Sequence, residues 1–386
     1  MILLKQADVY SPVHLGRKDV LVCGGRIEAM GDEIQPGNNC QVVDAAGKIL
    51  VPGLIDCHEH ITGGGGEGGF FTRTPEVCLS SLIRSGITTV VGLLGTDDMT
   101  RSVEALVAKA KALETEGITT YTLCGAYGYP SPTITGSVKK DIVYIDNMLG
   151  VKLALSDHRA PNVTLEELIR LASDVRTAGM IGGKAGIVVL HMGSGEKRLD
   201  LVFEALKQTN IPAKTFHPTH MTRSPELFRE GMKLAKLGGY VDITCESFDE
   251  SKERPGYIAG LLREAKEAGV PMDHITLSSD GQGSWSTYDA YGNLEKIGVT
   301  SVRNLYDQLV ALVKEDGFEL TEALSYFTEN VARSLEIYPK KGCIAEGTDG
   351  DLLLLKPDLS LDTVIAKGNI MMEGGTLLVR GAYEHD

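Results

Sequence analysis

Short apolar runs alternate with stretches of helical periodicity in the central part of the chain, from about residue 53 to 340. Such runs between turn residues predict buried strands, and apolar residues at spacings of three and four predict amphipathic helices. Eight strand–helix units favour an α/β fold, a (β/α)8 TIM-like barrel, over the alternative of a doubly wound open sheet. The predicted strands are 50–55, 88–93, 119–124, 151–155, 187–191, 214–217, 240–245 and 275–279, and the predicted helices include 75–85, 101–116, 165–178, 200–207, 225–237 and 256–268.

The two ends of the chain show a strand-like pattern instead. Apolar runs fill residues 1–52, where Gly24-Gly25 is a hairpin turn signal, and similar runs return only after residue 340. Two isolated β segments around one long insertion combine most simply into a single unit. We therefore expect a small β-sandwich domain formed by residues 1–52 plus 341–386, with the barrel domain at 53–340.

Composition places the chain among ordinary globular proteins and excludes some partners. The 386 residues are 42% hydrophobic and 23% charged, with a net charge of −14 and no basic stripe. These values argue against non-specific nucleic-acid binding and binding to anionic membranes. The N-terminus lacks a signal-peptide pattern and no apolar run reaches about 18 residues. Seven scattered cysteines without Cys-x-x-Cys pairing indicate reduced thiols and a cytoplasmic protein.

Two histidines follow the first barrel strand. In an extended strand side chains alternate between faces, so His58 and His60 point the same way while Glu59 points opposite. Two imidazoles aimed together at a strand end can share a metal ion. By itself a His-x-His pair also fits an ordinary solvated strand end.

Further candidate ligands occur at the ends of other predicted strands. His191 ends the fifth strand, His220 follows the sixth, and Asp280 ends the eighth. The local sequence does not decide between His217 and His220 as the ligand from the sixth strand. Because the carboxyl ends of barrel strands meet on one face, these side chains and the first pair are expected to converge there.

Lys152 is the most informative single residue, because it lies inside the apolar run 151–155. An ammonium facing a barrel interior loses hydration, so its pKa should be depressed. A neutral amine can react with carbon dioxide to give a carbamate, whose two oxygens suit a bridge between two metals. A lysine that extends from an edge strand to solvent, or that pairs with a carboxylate, is the plainer alternative.

In order and kind, these residues resemble the binuclear metal site of the amidohydrolase superfamily. More narrowly, the chain is similar to the isoaspartyl dipeptidase family within it, and this resemblance runs nearly end to end. Its motifs lie at 63–67 (GGGGE), 72–77 (TRTPEV), 92–97 (GLLGTD), 125–127 (GAY), 134–138 (ITGSV), 156–159 (SDHR), 191–193 (HMG), 218–220 (PTH) and 277–281 (LSSDG).

The resemblance implies a cofactor and a set of site residues. It implies two Zn²⁺ per subunit, and it favours His220 over His217. The implied metal ligands are His58, His60 and Asp280 on one zinc, His191 and His220 on the other, and carboxylated Lys152 bridging both. The implied substrate residues are Glu67, Thr96, Tyr127, Arg159, Arg223 and Ser284. A homo-oligomer, with an octamer as one form, is also implied.

The implied activity is hydrolysis of β-aspartyl dipeptides into aspartate and a second amino acid. A metal-bridging hydroxide would attack the scissile carbonyl, with Asp280 as general base and then general acid. The Tyr127 hydroxyl would stabilise the oxyanion, while Glu67 and the two arginines would bind the charged ends of the substrate. The alternatives are an N-acyl-amino-acid deacylase, a cyclic amidase of the dihydroorotase or hydantoinase type, or an inactive relative serving as an interaction protein.

Overall fold

The structure is a computed structural model that describes residues 1–246 and 256–384. Residues 385–386, the end of the expected β-sandwich segment, lie outside the described residues. In chain order the strands are β1 (Ile2–Tyr10), β2 (His14–Cys23), β3 (Arg26–Gly31), β4 (Gln41–Asp44), β5 (Ile49–Pro52), β6 (Leu54–Glu59), β7 (Ile87–Gly92), β8 (Thr119–Gly125), β9 (Met148–Leu155), β10 (Ile187–Met192), β11 (Phe216–Thr219), β12 (Val241–Thr244), β13 (Ile275–Ser278), β14 (Ser284–Tyr288), β15 (Leu294–Val299), β16 (Leu352–Leu355), β17 (Leu361–Ala366), β18 (Asn369–Glu373) and β19 (Thr376–Leu377). The helices are α1 (Leu79–Arg84), α2 (Val103–Glu116), α3 (Val138–Tyr144), α4 (Leu165–Gly182), α5 (Asp200–Gln208), α6 (Pro225–Lys236), α7 (Tyr257–Glu267), α8 (Asn304–Lys314), α9 (Leu320–Ser325) and α10 (Glu329–Ser334).

Eight parallel strands, β6 to β13, curl into the predicted barrel. Strands β6 to β11 form one six-stranded sheet, and β12 pairs with β13. Strand β11 lies beside β12, and β13 lies beside β6. The circle closes after β13, where the His60 N–H donates to the Gly281 carbonyl at 3.0 Å. The barrel prediction is confirmed, and the open-sheet alternative is wrong.

A carboxylate ties the barrel together where the ladder of main-chain hydrogen bonds is interrupted. Asp242, on β12, accepts hydrogen bonds from Thr219 on β11 at 2.7 Å and from Thr276 and Ser278 on β13 at 2.8 and 2.6 Å. It also accepts one from the Cys57 thiol on β6 at 3.3 Å. Burial raises the pKa of Asp242, although these hydrogen bonds oppose the rise. One buried side chain thus joins four strands.

The two ends of the chain form a single nine-stranded sheet, as expected. Its order is β19-β18-β17-β16-β5-β1-β2-β3, with β4 paired to β1. The N-terminal and C-terminal segments meet where β5 pairs antiparallel with β16. One face encloses a small core of its own, while Leu353 and Val364 belong to the large core of the barrel. The sheet is therefore held to the barrel by apolar packing.

Candidate active site

Six side chains of metal-ligand type lie at the carboxyl-terminal end of the barrel or just beneath it. This is the face where barrel enzymes assemble their sites from strand ends and loops. All are shielded from solvent, and Asp280 is the most accessible. They are His58 on β6, His60 just after it, Lys152 on β9, His191 on β10, His220 just after β11 and Asp280 after β13.

The ligand atoms of His58, His220 and Asp280 lie within 4.8 Å of one another. Asp280 Oδ1 is also 3.6 Å from His58 Nε2 and 3.2 Å from His60 Nε2. This buried oxygen accepts no hydrogen bond within the described part of the chain. An unsatisfied carboxylate oxygen facing several imidazole nitrogens is a donor set that fits a divalent transition-metal ion.

Unusual backbone conformations aim two of these side chains. His220 has φ 61° and Asp280 has φ 52°, both in the left-handed region that non-glycine residues rarely adopt. His220 directly follows β11, and Asp280 lies two positions after the end of β13, where the chain turns away from the sheet. Strain of this kind persists where the surrounding structure imposes it, and it concentrates at functional sites.

Lys152 is fully buried beneath this cluster, with its Nζ 2.8 Å from His58 Nε2. Burial lowers the pKa of Lys152 to about 7, although the carboxylates of Asp280 and Asp242 oppose the shift. A substantial fraction of the amine is therefore neutral at neutral pH. This is the condition that reaction with carbon dioxide requires.

His191 is held from both sides of its ring. Its Nε2 lies 3.0 Å from Asp157 Oδ2, and its Nδ1 lies 2.7 Å from the Tyr127 hydroxyl. Burial keeps the pKa of His191 well below its usual value, so the ring is neutral. Nε2–H then donates to Asp157, which leaves the Nδ1 lone pair facing Tyr127 and the site. Burial also raises the pKa of Tyr127, so its hydroxyl stays protonated as a donor.

His217, the other candidate from the sixth strand, lies elsewhere. Its Nε2 is 3.1 Å from the Lys214 carbonyl, and its ring packs 5.3 Å from that of Tyr240. Burial lowers the pKa of His217 to about 4. His220 instead joins the cluster, with its Nδ1 2.7 Å from the Thr244 hydroxyl. Geometry therefore groups His220, and not His217, with the other ligand-type side chains.

A cavity of about 450 Å³ opens above the cluster. His60, His191, His220 and Asp280 reach its wall, whereas Lys152 and His58 lie beneath it. All six residues predicted to bind substrate line this cavity: Glu67, Thr96, Tyr127, Arg159, Arg223 and Ser284.

Glu67 is the anionic group at the centre of the substrate-binding residues in this cavity. It accepts hydrogen bonds from the hydroxyls of Thr96 at 3.0 Å and Ser284 at 3.1 Å, and from the Arg159 guanidinium at 3.1 Å. Three donors from three separate segments, the loops after β7 and β9 and the start of β14, hold the carboxylate in one place. It therefore stands ready to bind a cationic group of a ligand.

The two arginines of the cavity differ in their surroundings. Arg159 donates through Nε and Nη2 to both oxygens of Asp157 at 2.9 Å, and it lies 5.2 Å from the centre of the Tyr127 ring. Arg223 is exposed, and no carboxylate of the described residues lies within ion-pair distance of it. Arg223 is therefore the cation more readily available to an incoming carboxylate.

Asp157 is the site residue that sequence reasoning missed. Burial alone would raise the pKa of Asp157, but hydrogen bonds from Arg159 and His191 hold it far below its usual value. It therefore stays ionised and fixes both partners. The only signal in the sequence was its position two residues before Arg159, in the motif at 156–159.

The fold and the site define a class that comparison with known proteins identifies. The Amidohydrolase family model matches residues 49–371, and the chain belongs to this family of hydrolytic enzymes. Within it, the chain is 44% identical to beta-aspartyl dipeptidase from Fervidobacterium islandicum AW-1, solved in complex with beta-Asp-Leu dipeptide. That comparison covers 97% of this chain and 98% of the other, with a TM-score of 0.91. The resemblance read from the motifs is confirmed.

More distant proteins resemble only part of the sequence or share only the fold. The chain is 32% identical over 114 residues to a dihydroorotase from Staphylococcus aureus (strain Mu50 / ATCC 700699), which covers 30% of this chain and 26% of that relative. The match thus spans about a quarter of that relative's length. A solved D-hydantoinase is 18% identical with a TM-score of 0.63, covering 99% of this chain and 97% of the other, and shares the fold alone.

Proposed function

We propose that the protein is a binuclear zinc hydrolase that cleaves β-aspartyl dipeptides into aspartate and a second amino acid. The observation that carries this proposal is Glu67, a firmly held carboxylate in the same cavity as the His/Asp cluster. A free α-ammonium next to the hydrolysed bond is what such a carboxylate would select. The 44% identity to an enzyme solved with beta-Asp-Leu supports the same substrate.

The metal ligands of the proposal are the cluster residues. His58, His60 and Asp280 would hold one zinc, His191 and His220 the other, and carboxylated Lys152 would bridge them. Bound there, the two ions would lower the pKa of a water molecule and polarise the scissile carbonyl. The unsatisfied Asp280 Oδ1 and the buried amine of Lys152 support this assignment.

The remaining steps belong to side chains of this chain. Asp280 would take the proton of the attacking water and deliver it to the nitrogen of the departing amino acid. The protonated hydroxyl of Tyr127 would donate to the carbonyl oxygen as negative charge develops on it. Glu67 would bind the α-ammonium, while Arg159 and Arg223, with Thr96 and Ser284, would bind the two substrate carboxylates.

Three further expectations remain part of the proposal. The seven cysteines, all free in the structure, support a cytoplasmic location. The resemblance to the family supports a homo-oligomer. The division into a β domain of residues 1–52 plus 341–386 and a barrel domain of 53–340 is supported by the strand pairing of the chain ends.

Among the described residues, no helix is both long enough and apolar enough to cross a bilayer.

The test compares hydrolysis of β-Asp-Leu, N-acetyl-β-Asp-Leu, α-Asp-Leu, dihydroorotate and hydantoin by enzyme of measured zinc content. A charge left unpaired in a closed site costs several kcal/mol, so we expect kcat/KM for β-Asp-Leu to exceed the others by about 10³-fold or more. Metal analysis should give two ions per chain in active enzyme. Comparable rates for the acetylated or α-linked peptide, or faster opening of a ring substrate, would favour a deacylase or a cyclic amidase.

A further inference from the structure

Arg101 is a buried cation that binds main-chain carbonyl oxygens instead of a carboxylate. It lies between β7 and α2, just before Ser102, the residue that caps α2. It is 8% exposed, and no carboxylate of residues 1–246 and 256–384 lies within ion-pair distance of it. Burial, together with the nearby Arg73 cation, lowers the pKa of Arg101. Burying this charge costs free energy unless its N–H groups are hydrogen-bonded, so the carbonyl oxygens that it contacts must offset that cost.

The guanidinium joins the two arms of the glycine-rich loop at residues 61–74. It donates to the carbonyls of Thr62 and Gly64 on the outgoing arm, the latter at 3.1 Å, and to that of Thr74 on the returning arm at 2.8 Å. The arms also pair directly, because the Thr74 N–H donates to the Gly64 carbonyl at 2.9 Å. Arg101 therefore closes the base of this loop.

The loop is built to admit the guanidinium. Gly63 has φ +78°, and a Cβ at this position would lie 2.3 Å from the Thr74 carbonyl oxygen and 3.0 Å from Nη2 of Arg101. Any other residue would push the two arms apart or displace the arginine. The glycine and the arginine therefore form one arrangement.

The segment that carries Arg101 also reaches the far end of the loop. Glu67 lies at that end, between the two arms, and accepts a hydrogen bond from Thr96 at 3.0 Å. Thr96 and Arg101 belong to the same connection between β7 and α2. This connection thus fixes the loop at its base through Arg101 and at its functional end through Thr96.

We propose that Arg101 is a positioning residue for Glu67, and through it a determinant of selectivity for substrates with a free α-ammonium. The inference rests on the proposed function. A planar guanidinium presents several N–H donors in fixed directions and so reaches carbonyls on both arms. A lysine ammonium carries all its N–H donors on one nitrogen. Arg101→Lys keeps the charge but loses this bridge, so the Glu67 carboxylate should shift.

A double-mutant cycle tests this role. Wild type, Arg101→Lys, Glu67→Gln and the double variant are compared for kcat/KM with β-Asp-Leu, alongside metal content and Tm. A displacement of about 1 Å at a binding group can cost about 10²-fold, so we expect Arg101→Lys to lose about 10- to 100-fold. In the Glu67→Gln background the same change should cost less than about 3-fold, because the group it positions is already absent.

Two further variants keep the test sharp if Arg101→Lys folds poorly. Gly63→Ala disturbs the same contact from the loop side and should show the same dependence on Glu67. Arg303→Lys alters an arginine that donates to the main-chain carbonyl of Arg84, away from this loop, and should leave kcat/KM unchanged. Equal losses in both Glu67 backgrounds, or no loss, would overturn the role of Arg101. A wild type inactive on β-Asp-Leu would instead overturn the proposed function itself.

Discussion

Asp157 and His191 are joined by a hydrogen bond of 3.0 Å between Oδ2 and Nε2, although they lie 34 positions apart in the chain. The same carboxylate accepts hydrogen bonds from three N–H groups of Arg159, one in the main chain and two in the guanidinium, each at 2.9 Å. One side chain thus fixes a candidate metal ligand and a candidate substrate-binding cation. The position of His191 in the cluster and the position of Arg159 in the cavity above it are therefore linked through Asp157.

Replacing this carboxylate should weaken both functions at once. Asp157→Asn keeps the shape but removes the charge that holds His191 and Arg159. Residues that orient metal ligands typically contribute 10- to 100-fold to metal affinity or activity, so we expect a loss in about this range. Zinc titration of the apo-enzyme and kcat/KM for β-Asp-Leu measure it. Asp174→Asn, at a half-exposed aspartate paired with Lys139, is the control. Unchanged zinc affinity and activity in Asp157→Asn would contradict the linkage.

Much of the cluster was predictable because parallel barrel strands all end on one face. His191 and Asp280 each follow an apolar run, so their strand ends, and hence their meeting, could be derived from the sequence. Lys152 was conspicuous as a lone charge within an apolar strand. These signals are local, and the (β/α)8 topology predicts which distant strand ends meet in space.

Other features depend on contacts that no local pattern shows. Asp157 looks like any loop aspartate until His191 and Arg159 are brought to it. The hairpin of β14 and β15, which carries Ser284, was not predicted, because its strands are polar and only half-buried. The Gly292-Asn293 pair at its turn was the one available signal.

His217 and His220 form a matched pair for testing the metal cluster. The two residues are three positions apart and both buried, but only His220 lies with His58 and Asp280. We expect His220→Asn to lose about one zinc per chain and nearly all turnover, because it removes a ligand nitrogen. His217→Asn should keep both metals and most of the activity. Metal analysis of the purified variants decides this, and equal metal loss in both would show that the grouping is wrong.

Lys341 should contribute to stability without affecting the site. It is 3% exposed and lies between Asp351 and Asp349, the latter at 2.9 Å. Burial alone would lower the pKa of Lys341, but Asp351 and Asp349 outweigh it and raise the pKa. A cation with a raised pKa stabilises the fold fully below its unfolded value of about 10.4, and this contribution disappears as the pH rises through the folded pKa.

Lys341→Met should therefore cost about 3–5 kcal/mol of unfolding free energy at pH 8, because two partly buried carboxylates lose their partner. Lys340→Met, at the exposed neighbouring lysine, should cost little. Urea unfolding at a series of pH values measures both. The difference between wild type and Lys341→Met should persist to about pH 10 and narrow above it. A difference that is small at pH 8, or that grows at alkaline pH, would refute the assignment.

Lys152 offers the most direct test of the bridging carbamate. Its amine is fully buried and 2.8 Å from His58 Nε2, and it has a pKa of about 7, so it can react with carbon dioxide at neutral pH. Lys152→Ala should lower zinc content and nearly abolish turnover, and a short-chain carboxylic acid added to the variant should restore part of both by replacing the missing anion. Crystals of active enzyme should show density for a carboxyl group beyond Nζ. Because a carbamate decomposes in acid, crystallography is a better probe than mass measurement of acidified protein. An unmodified Lys152 in a fully active, zinc-loaded crystal would reject the carbamate.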